Sequence, residues 1–157
     1  MENTTLLSKL NKLVEGKTLQ KARFGRSGAL LIWLSRADLP ALARMLREDP
    51  GFELDWLEHL SVMQMEDVLV ATYFLRSRQN RNVLVLRTTA TPPAADAWAS
   101  LPSVRETWPT AAHLEDEVSE LFGIRFEGGK GDERTFLSEN IEPFPLRKQL
   151  RLRAGGH

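Results

Sequence analysis

Residues 67–76 read Asp67-Val68-Leu69-Val70-Ala71-Thr72-Tyr73-Phe74-Leu75-Arg76. Val68, Val70, Thr72 and Phe74 alternate with Leu69, Ala71, Tyr73 and Leu75, and β-branched and aromatic side chains dominate. That period of two predicts a strand. The polar stretch 77–81 predicts a turn, and residues 82–89 repeat the pattern and pair back. Both runs are apolar on both faces at their centres, so helices are expected to cover one side of the sheet.

Working towards the N-terminus, the reading of 54–65 is ambiguous, with a strand favoured near 60–65. Residues 35–49 predict a helix, with Asp38 as cap, Pro40 in the first turn and Leu39, Leu42, Ala43 and Leu46 on one face. Asp49-Pro50-Gly51 stops it. Residues 18–24 and 28–34 predict two strands joined by Gly25-Arg26-Ser27. Leu6, Leu7, Leu10, Leu13 and Val14 recur at helical spacing before Gly16, which predicts an opening helix. Towards the C-terminus, a short helix is expected over 94–101 and a stronger one over 110–122. Thr110 would cap the stronger helix and Gly123 would close it. The remainder is irregular and ends in an extended, basic arm over 144–153.

The expected order is helix, two strands, helix, three strands, then a helical and irregular C-terminal extension. This is an α+β two-layer sandwich. It lacks the strict βαβ alternation of a doubly wound nucleotide fold. One domain is expected over 1–157, with the sandwich core in 1–90 and the helix and arm in 91–157. No internal repeat or low-complexity tract is present.

Composition narrows the function classes. The chain has 157 residues, with Lys+Arg 21 and Asp+Glu 21, so the net charge is zero. No global field steers it to nucleic acid or an anionic membrane. The absence of cysteine excludes disulfides, thiolate catalysis and cysteine-held zinc or iron–sulfur centres in this chain. No run approaches the ~18 apolar residues that span a bilayer, and no basic-then-apolar leader opens the chain. A soluble cytoplasmic protein without direct membrane insertion is expected.

Candidate sites have plain readings. Gly128-Gly129-Lys130-Gly131 lacks the spacing and the strand–loop–helix frame of a phosphate loop, so it reads as a turn. His113 and Glu117 share a helix face, but a metal needs three or four ligands, and His59 and His157 are poorly placed to join them. Glu115, Asp116, Glu117 and Glu120 read as an acidic helix surface. Arg147, Lys148, Arg151 and Arg153 form a basic end with few aromatics for base stacking, so nucleic acid is not favoured. The four tryptophans read as core or interface anchors. No catalytic triad, nucleophile elbow or dinucleotide fingerprint is present.

Three runs carry a resemblance: Leu101-Pro102-Ser103-Val104, Trp108-Pro109-Thr110-Ala111-Ala112, and 114–128, reading LEDEVSELFGIRFEG. With Pro145-Leu146-Arg147-Lys148, they resemble the family of the respiratory-chain NADH dehydrogenase 30 kDa subunit, the C-type subunit of NADH-quinone oxidoreductase. Glu115 and Glu117 match the two acids of its Glu-Arg-Glu motif. Leu121, Phe122, Gly123, Ile124 and Phe126 match the hydrophobic end that follows, and Gly128 matches the glycine of Gly-His-Pro. Pro145, Leu146, Arg147 and Lys148 match its Pro-Leu-Arg-Lys arm.

The resemblance implies an α+β fold and a non-catalytic accessory subunit of an NADH:quinone oxidoreductase (complex I). Such a subunit binds no cofactor itself. It packs on the large catalytic (49 kDa-type) subunit beside iron–sulfur subunits, in the arm on the cytoplasmic face of the membrane. The matched residues would be partner-docking, with Phe122, Ile124 and Phe126 as anchors and Arg147 and Lys148 pairing with carboxylates. Phe122 packing into this domain's own core is the competing use.

The chain departs from the family pattern at several positions. His113 stands for Trp, Asp116 for Arg, Ser119 for Tyr, Glu120 for Asp, and Gly129-Lys130 for His-Pro. Glu133-Arg134 keeps one of two arginines, and Phe144 and Gln149 flank the arm in place of His and Asp. These differences keep open a divergent stand-alone interaction module, or a subunit of a related membrane-bound hydrogenase.

Overall fold

A computed structural model describes residues 8, 10–12, 19–24, 29–94 and 97–128. The elements are β1 (Leu19–Phe24), β2 (Leu30–Leu34), a 3-10 turn (Arg36–Asp38), α1 (Leu39–Glu48), β3 (Trp56–Met65), β4 (Val68–Arg76), β5 (Val83–Ala90), β6 (Ala99–Pro102), α2 (Ala111–Phe122) and β7 (Ile124–Glu127). Residues 8 and 10–12 of the expected opening helix are helical.

Strands β1 to β5 form one sheet in the order β1-β2-β5-β4-β3. β2 and β5 run parallel, and the other neighbours are antiparallel. Rows of cross-strand partners explain the dense apolar patterning. Ile32 pairs with Leu86, Leu86 with Tyr73 and Tyr73 with Leu60. The neighbouring row is Leu30, Leu84, Leu75 and Leu57. These residues are buried in one cluster with Leu39, Leu42, Ala43 and Leu46 of α1 and Ala111 and Val118 of α2. The fold is α+β, with helices laid on the sheet face that carries the larger apolar side chains.

The turns are built by side chains. At 77–82, the Ser77 amide donates to the Asn82 carbonyl at 2.8 Å, closing β4 to β5. Asn82 Nδ2 donates to the Gly51 carbonyl at 2.9 Å, and Asn80 Nδ2 to that of Phe52 at 3.3 Å. The polar turn is thereby fastened to the loop after α1. Asp49 ends α1 as expected: its Oδ1 accepts from the Gly51 amide at 2.7 Å. Asp38 makes no side-chain cap bond. Instead Ser35 Oγ accepts from the Ala37 amide and caps the 3-10 turn that leads into the helix.

Two expectations are corrected. β3 starts at Trp56, well before residue 60, because a bulge between Leu57 and His59 leaves Glu58 and His59 both exposed and breaks the alternation. The short helix expected over 94–101 is not formed among the described residues. Residues 99–102 are strand β6, parallel to β7, with Ala99 paired to Ile124 and Leu101 to Phe126. Alanine favours helix locally, but burial against a strand more than twenty residues away overrides that preference.

Residues between 99 and 126 contribute to the core. Ala99, Leu101, Val104, Trp108, Ile124 and Phe126 are buried in the cluster that also holds the sheet residues. Trp108 is buried, and its Nε1 donates to the Leu54 carbonyl at 2.7 Å. The other tryptophans carry guanidinium groups on their rings. Arg87 lies 5.6 Å from the Trp33 ring centre, Arg78 5.0 Å from Trp56 and Arg125 5.5 Å from Trp98.

Candidate functional site

The matched region is one continuous device: β6, a loop, α2 and β7. α2 starts after Thr110, whose hydroxyl donates to the Leu57 carbonyl at 3.2 Å and ties the helix start to β3. It ends at Gly123, which adopts φ 75° and ψ 48°, the left-handed geometry that closes helices. The Gly123 amide donates to the Ser119 carbonyl, and its carbonyl accepts from the Ala99 amide at 2.9 Å. This single residue turns the chain from α2 into β7. Gly128, at φ 91°, turns it again after β7.

Within α2, the acidic positions split into inner and outer sets. Glu115 is wholly buried and Glu120 is 2% exposed, whereas Glu117 and His113 face solvent. The expected acidic surface is therefore corrected: of the four acids only Glu117 is exposed. The periodicity accounts for it, since 111, 115 and 118 share the buried face of a helix with 3.6 residues per turn.

Glu115 is held by the loop that follows β6. Oε1 accepts from the Ser103 hydroxyl at 2.6 Å, and Oε2 accepts from the Val104 amide at 2.9 Å. Arg105 Nε and Nη2 donate to Oε1 at 3.3 Å, and Nη2 also reaches Asp116 Oδ1 at 3.4 Å. Burial pushes the Glu115 carboxyl above its usual range, opposed by the Ser103, Val104 and Arg105 contacts. Tyr73, wholly buried on β4, is raised as well, by burial and then by the charge of Glu115. Ser103 and Arg105 complete this arrangement unannounced by any local motif, because they lie 12 and 10 residues before their partner.

The expected docking residues thus fall into three groups. Glu115, Gly123, Ile124 and Phe126 are buried in the chain itself. Ile124 and Phe126 are 0% and 3% exposed and pack in this chain's own core. Glu117 and Gly128 are exposed, and Phe122 is half-buried, packed against the core. Pro145, Leu146, Arg147 and Lys148 lie outside the described residues, as do Gly129-Lys130 and the basic end. His113 and Glu117 are both exposed on α2, and among the described residues no group of three or more His, Asp or Glu is placed to hold a metal ion.

Similarity to known proteins agrees with this region. Residues 32–155 match the family described as respiratory-chain NADH dehydrogenase, 30 Kd subunit. The NADH-quinone oxidoreductase C subunit of Roseiflexus sp. (strain RS-1) is 31% identical over 157 residues, covering 98% of this chain and 87% of that protein. A protein of Phocaeicola vulgatus, named as a joint C/D subunit of NADH-quinone oxidoreductase, is 33% identical over 117 residues, covering 72% of this chain but 22% of that longer one. Among solved structures, a chain of the membrane-bound sulfane sulfur reductase, an archaeal respiratory membrane complex, shares the fold. Its TM-score is 0.70 at 17% identity, covering 88% of this chain and 79% of that one. With most of its length matched by the family and its core built on the matched segment, the chain belongs to the respiratory-chain NADH dehydrogenase 30 kDa subunit family.

Proposed function

We propose that this chain is a non-catalytic accessory subunit of an NADH:quinone oxidoreductase, docked on the large catalytic D-type subunit and beside iron–sulfur subunits. It contributes to electron transfer from NADH to quinone only within that complex. In this reading it binds no cofactor and lies on the cytoplasmic face of the membrane. No helix among the described residues is long and apolar enough to cross a membrane.

The observation that carries the proposal is the C/D relative. There, a segment similar to this chain forms about a fifth of one longer protein named for both C and D. Two units that occur as one polypeptide are held at high effective concentration, which suits parts that pack together. The surface offered for docking is the outer side of α2 and its end. Glu117 and Gly128 are exposed, and Phe122 is half-buried. Buried Glu115, Ile124 and Phe126 act one step back, by holding that surface in place. The charge reversal at Asp116 is absorbed within the chain, since Asp116 already pairs with Arg105 at 3.4 Å. That internal pairing weighs against a stand-alone module that has lost the complex through this substitution.

The test is a tagged pull-down from gently solubilised membranes, with co-purifying proteins identified by mass spectrometry. A D-type subunit and iron–sulfur subunits are expected. Phe122→Ala is expected to reduce their recovery while the isolated chain stays folded. Recovery of the tagged chain alone, from a preparation whose complex is intact, refutes the reading.

A further inference from the structure

β2 and β5 are the parallel pair in the five-stranded sheet, so their carboxyl ends lie at the same end of it. The chain leaves β2 for the 3-10 turn and leaves β5 after Ala90 at that same end. In this molecule a cavity of about 280 Å³ opens at that place, lined by Ser35 and Arg36 after β2 and by Thr89 and Thr91 at the end of β5.

The lining has one chemical character. Among the described residues it holds one guanidinium and three hydroxyl groups, with no carboxylate. Arg36 is held from the far side: Nη1 donates to the Ser100 carbonyl of β6 at 2.9 Å. That is its side chain's one hydrogen bond among the described residues. A guanidinium carries five N–H donors, so four are left for another acceptor. Ser35 Oγ accepts from the Ala37 amide at 3.4 Å, which leaves its O–H hydrogen free to donate. Thr89 and Thr91 approach from the other strand. The donors therefore surround the space from two chain segments instead of presenting a single flat fork.

We propose that this cavity binds a phosphate-class oxyanion through Arg36, with Ser35, Thr89 and Thr91 donating hydroxyl hydrogen bonds. A planar carboxylate is satisfied by the guanidinium fork alone, whereas a tetrahedral oxyanion has further oxygens for donors arriving from other sides. The shared chemistry admits two sources, free phosphate and the phosphate of an anionic lipid headgroup. The inference is independent of the docking proposal, since none of these four residues belongs to the α2 surface.

The test titrates inorganic phosphate into the full chain, followed by backbone amide shifts. Saturable shifts centred on residues 35–37 and 89–91 are expected. Arg36→Gln is expected to weaken binding at least about tenfold, since a hydrogen bond to a charged group is worth about 1.5–3 kcal/mol. Arg36 also anchors β6, so Thr91→Val supplies a second variant at an exposed position, with a loss of about threefold expected for a neutral hydrogen bond. A parallel arm uses vesicles of phosphatidylglycerol against phosphatidylcholine. Saturation by inorganic phosphate assigns the free anion. Failure of phosphate, with Arg36-dependent binding to the anionic vesicles alone, assigns the headgroup. Non-saturating shifts and no vesicle binding overturn the proposal, and so does binding that both variants leave unchanged.

Discussion

Replacing Glu115 by alanine tests whether the buried carboxylate holds the matched region together. The side chain is 0% exposed and accepts from the Ser103 hydroxyl, the Val104 amide and the Arg105 guanidinium. Truncation strands the amide of Val104, a residue only 1% exposed. An unsatisfied buried donor costs about 1–3 kcal/mol. Arg105, with 22% of its side chain exposed, keeps Asp116 but loses its inner partner. Removing one member of a buried ion pair costs about 3–5 kcal/mol in total, and this figure already includes the stranded groups. A loss of about 3 kcal/mol translates to about 6–12 °C in Tm for a chain of this size.

The assay is urea and thermal unfolding of Glu115→Ala beside Glu117→Ala, two residues away on the exposed side of the same helix. The exposed substitution is expected to stay within about 0.5 kcal/mol of the wild type. A cycle with Arg105→Met should show coupling between residues 105 and 115 of at least about 0.5 kcal/mol, as direct partners do. Two results would refute the reasoning: a Glu115→Ala cost under about 1 kcal/mol, or equal costs at 115 and 117. Either would mean that the loop 103–105 holds its place without the carboxylate.

Phe126→Ala is expected to cost about 3–5 kcal/mol in urea unfolding, because it leaves a cavity beside Leu101 in the β6–β7 pair. The pH dependence of stability carries a sign set by burial. The Glu115 carboxyl is raised above its ordinary 4.5, so folding takes up a proton between 4.5 and the folded value. Its contribution is complete below 4.5 and is lost as pH rises through the folded value. Relative to Glu115→Gln, the wild type should therefore lose stability across that window and run parallel below it. Opposite slopes would show that the Arg105 contact outweighs desolvation.

The sheet was legible where its pattern is local. Residues 67–76 and 82–89 alternate cleanly, and the polar turn between them is closed by Ser77 and Asn82, close together in sequence. Legibility failed where a distant partner decides. β6 is four residues long, and no strand signal survives in Ala99, Ser100, Leu101 and Pro102 without β7 beside them. β3 hid its first half because one bulge puts Glu58 and His59 on the solvent side together. The return of β5 to lie parallel to β2 is invisible locally as well, since each strand is apolar on both faces and admits either neighbour.

The matched segment shows why a family motif is an unsafe map of an interface. Its acids look alike in sequence, yet a rotation of about 100° per residue puts Glu115 inside and Glu117 outside. Its apolar end looks like an anchor, yet Ile124 and Phe126 are buried on β7, and Leu121 and Phe122 keep accessible surface. Residues can recur together because they build the same piece of structure, and the piece can then be what the partner meets. The consequence is experimental. A drop in assembly after Phe126→Ala or Glu115→Ala reports loss of fold, because those side chains have no surface to offer. A drop after Phe122→Ala or a Glu117 substitution, with Tm retained, reports loss of contact. Only the second pair discriminates docking from folding, so the docking proposal stands or falls on the outer side of α2.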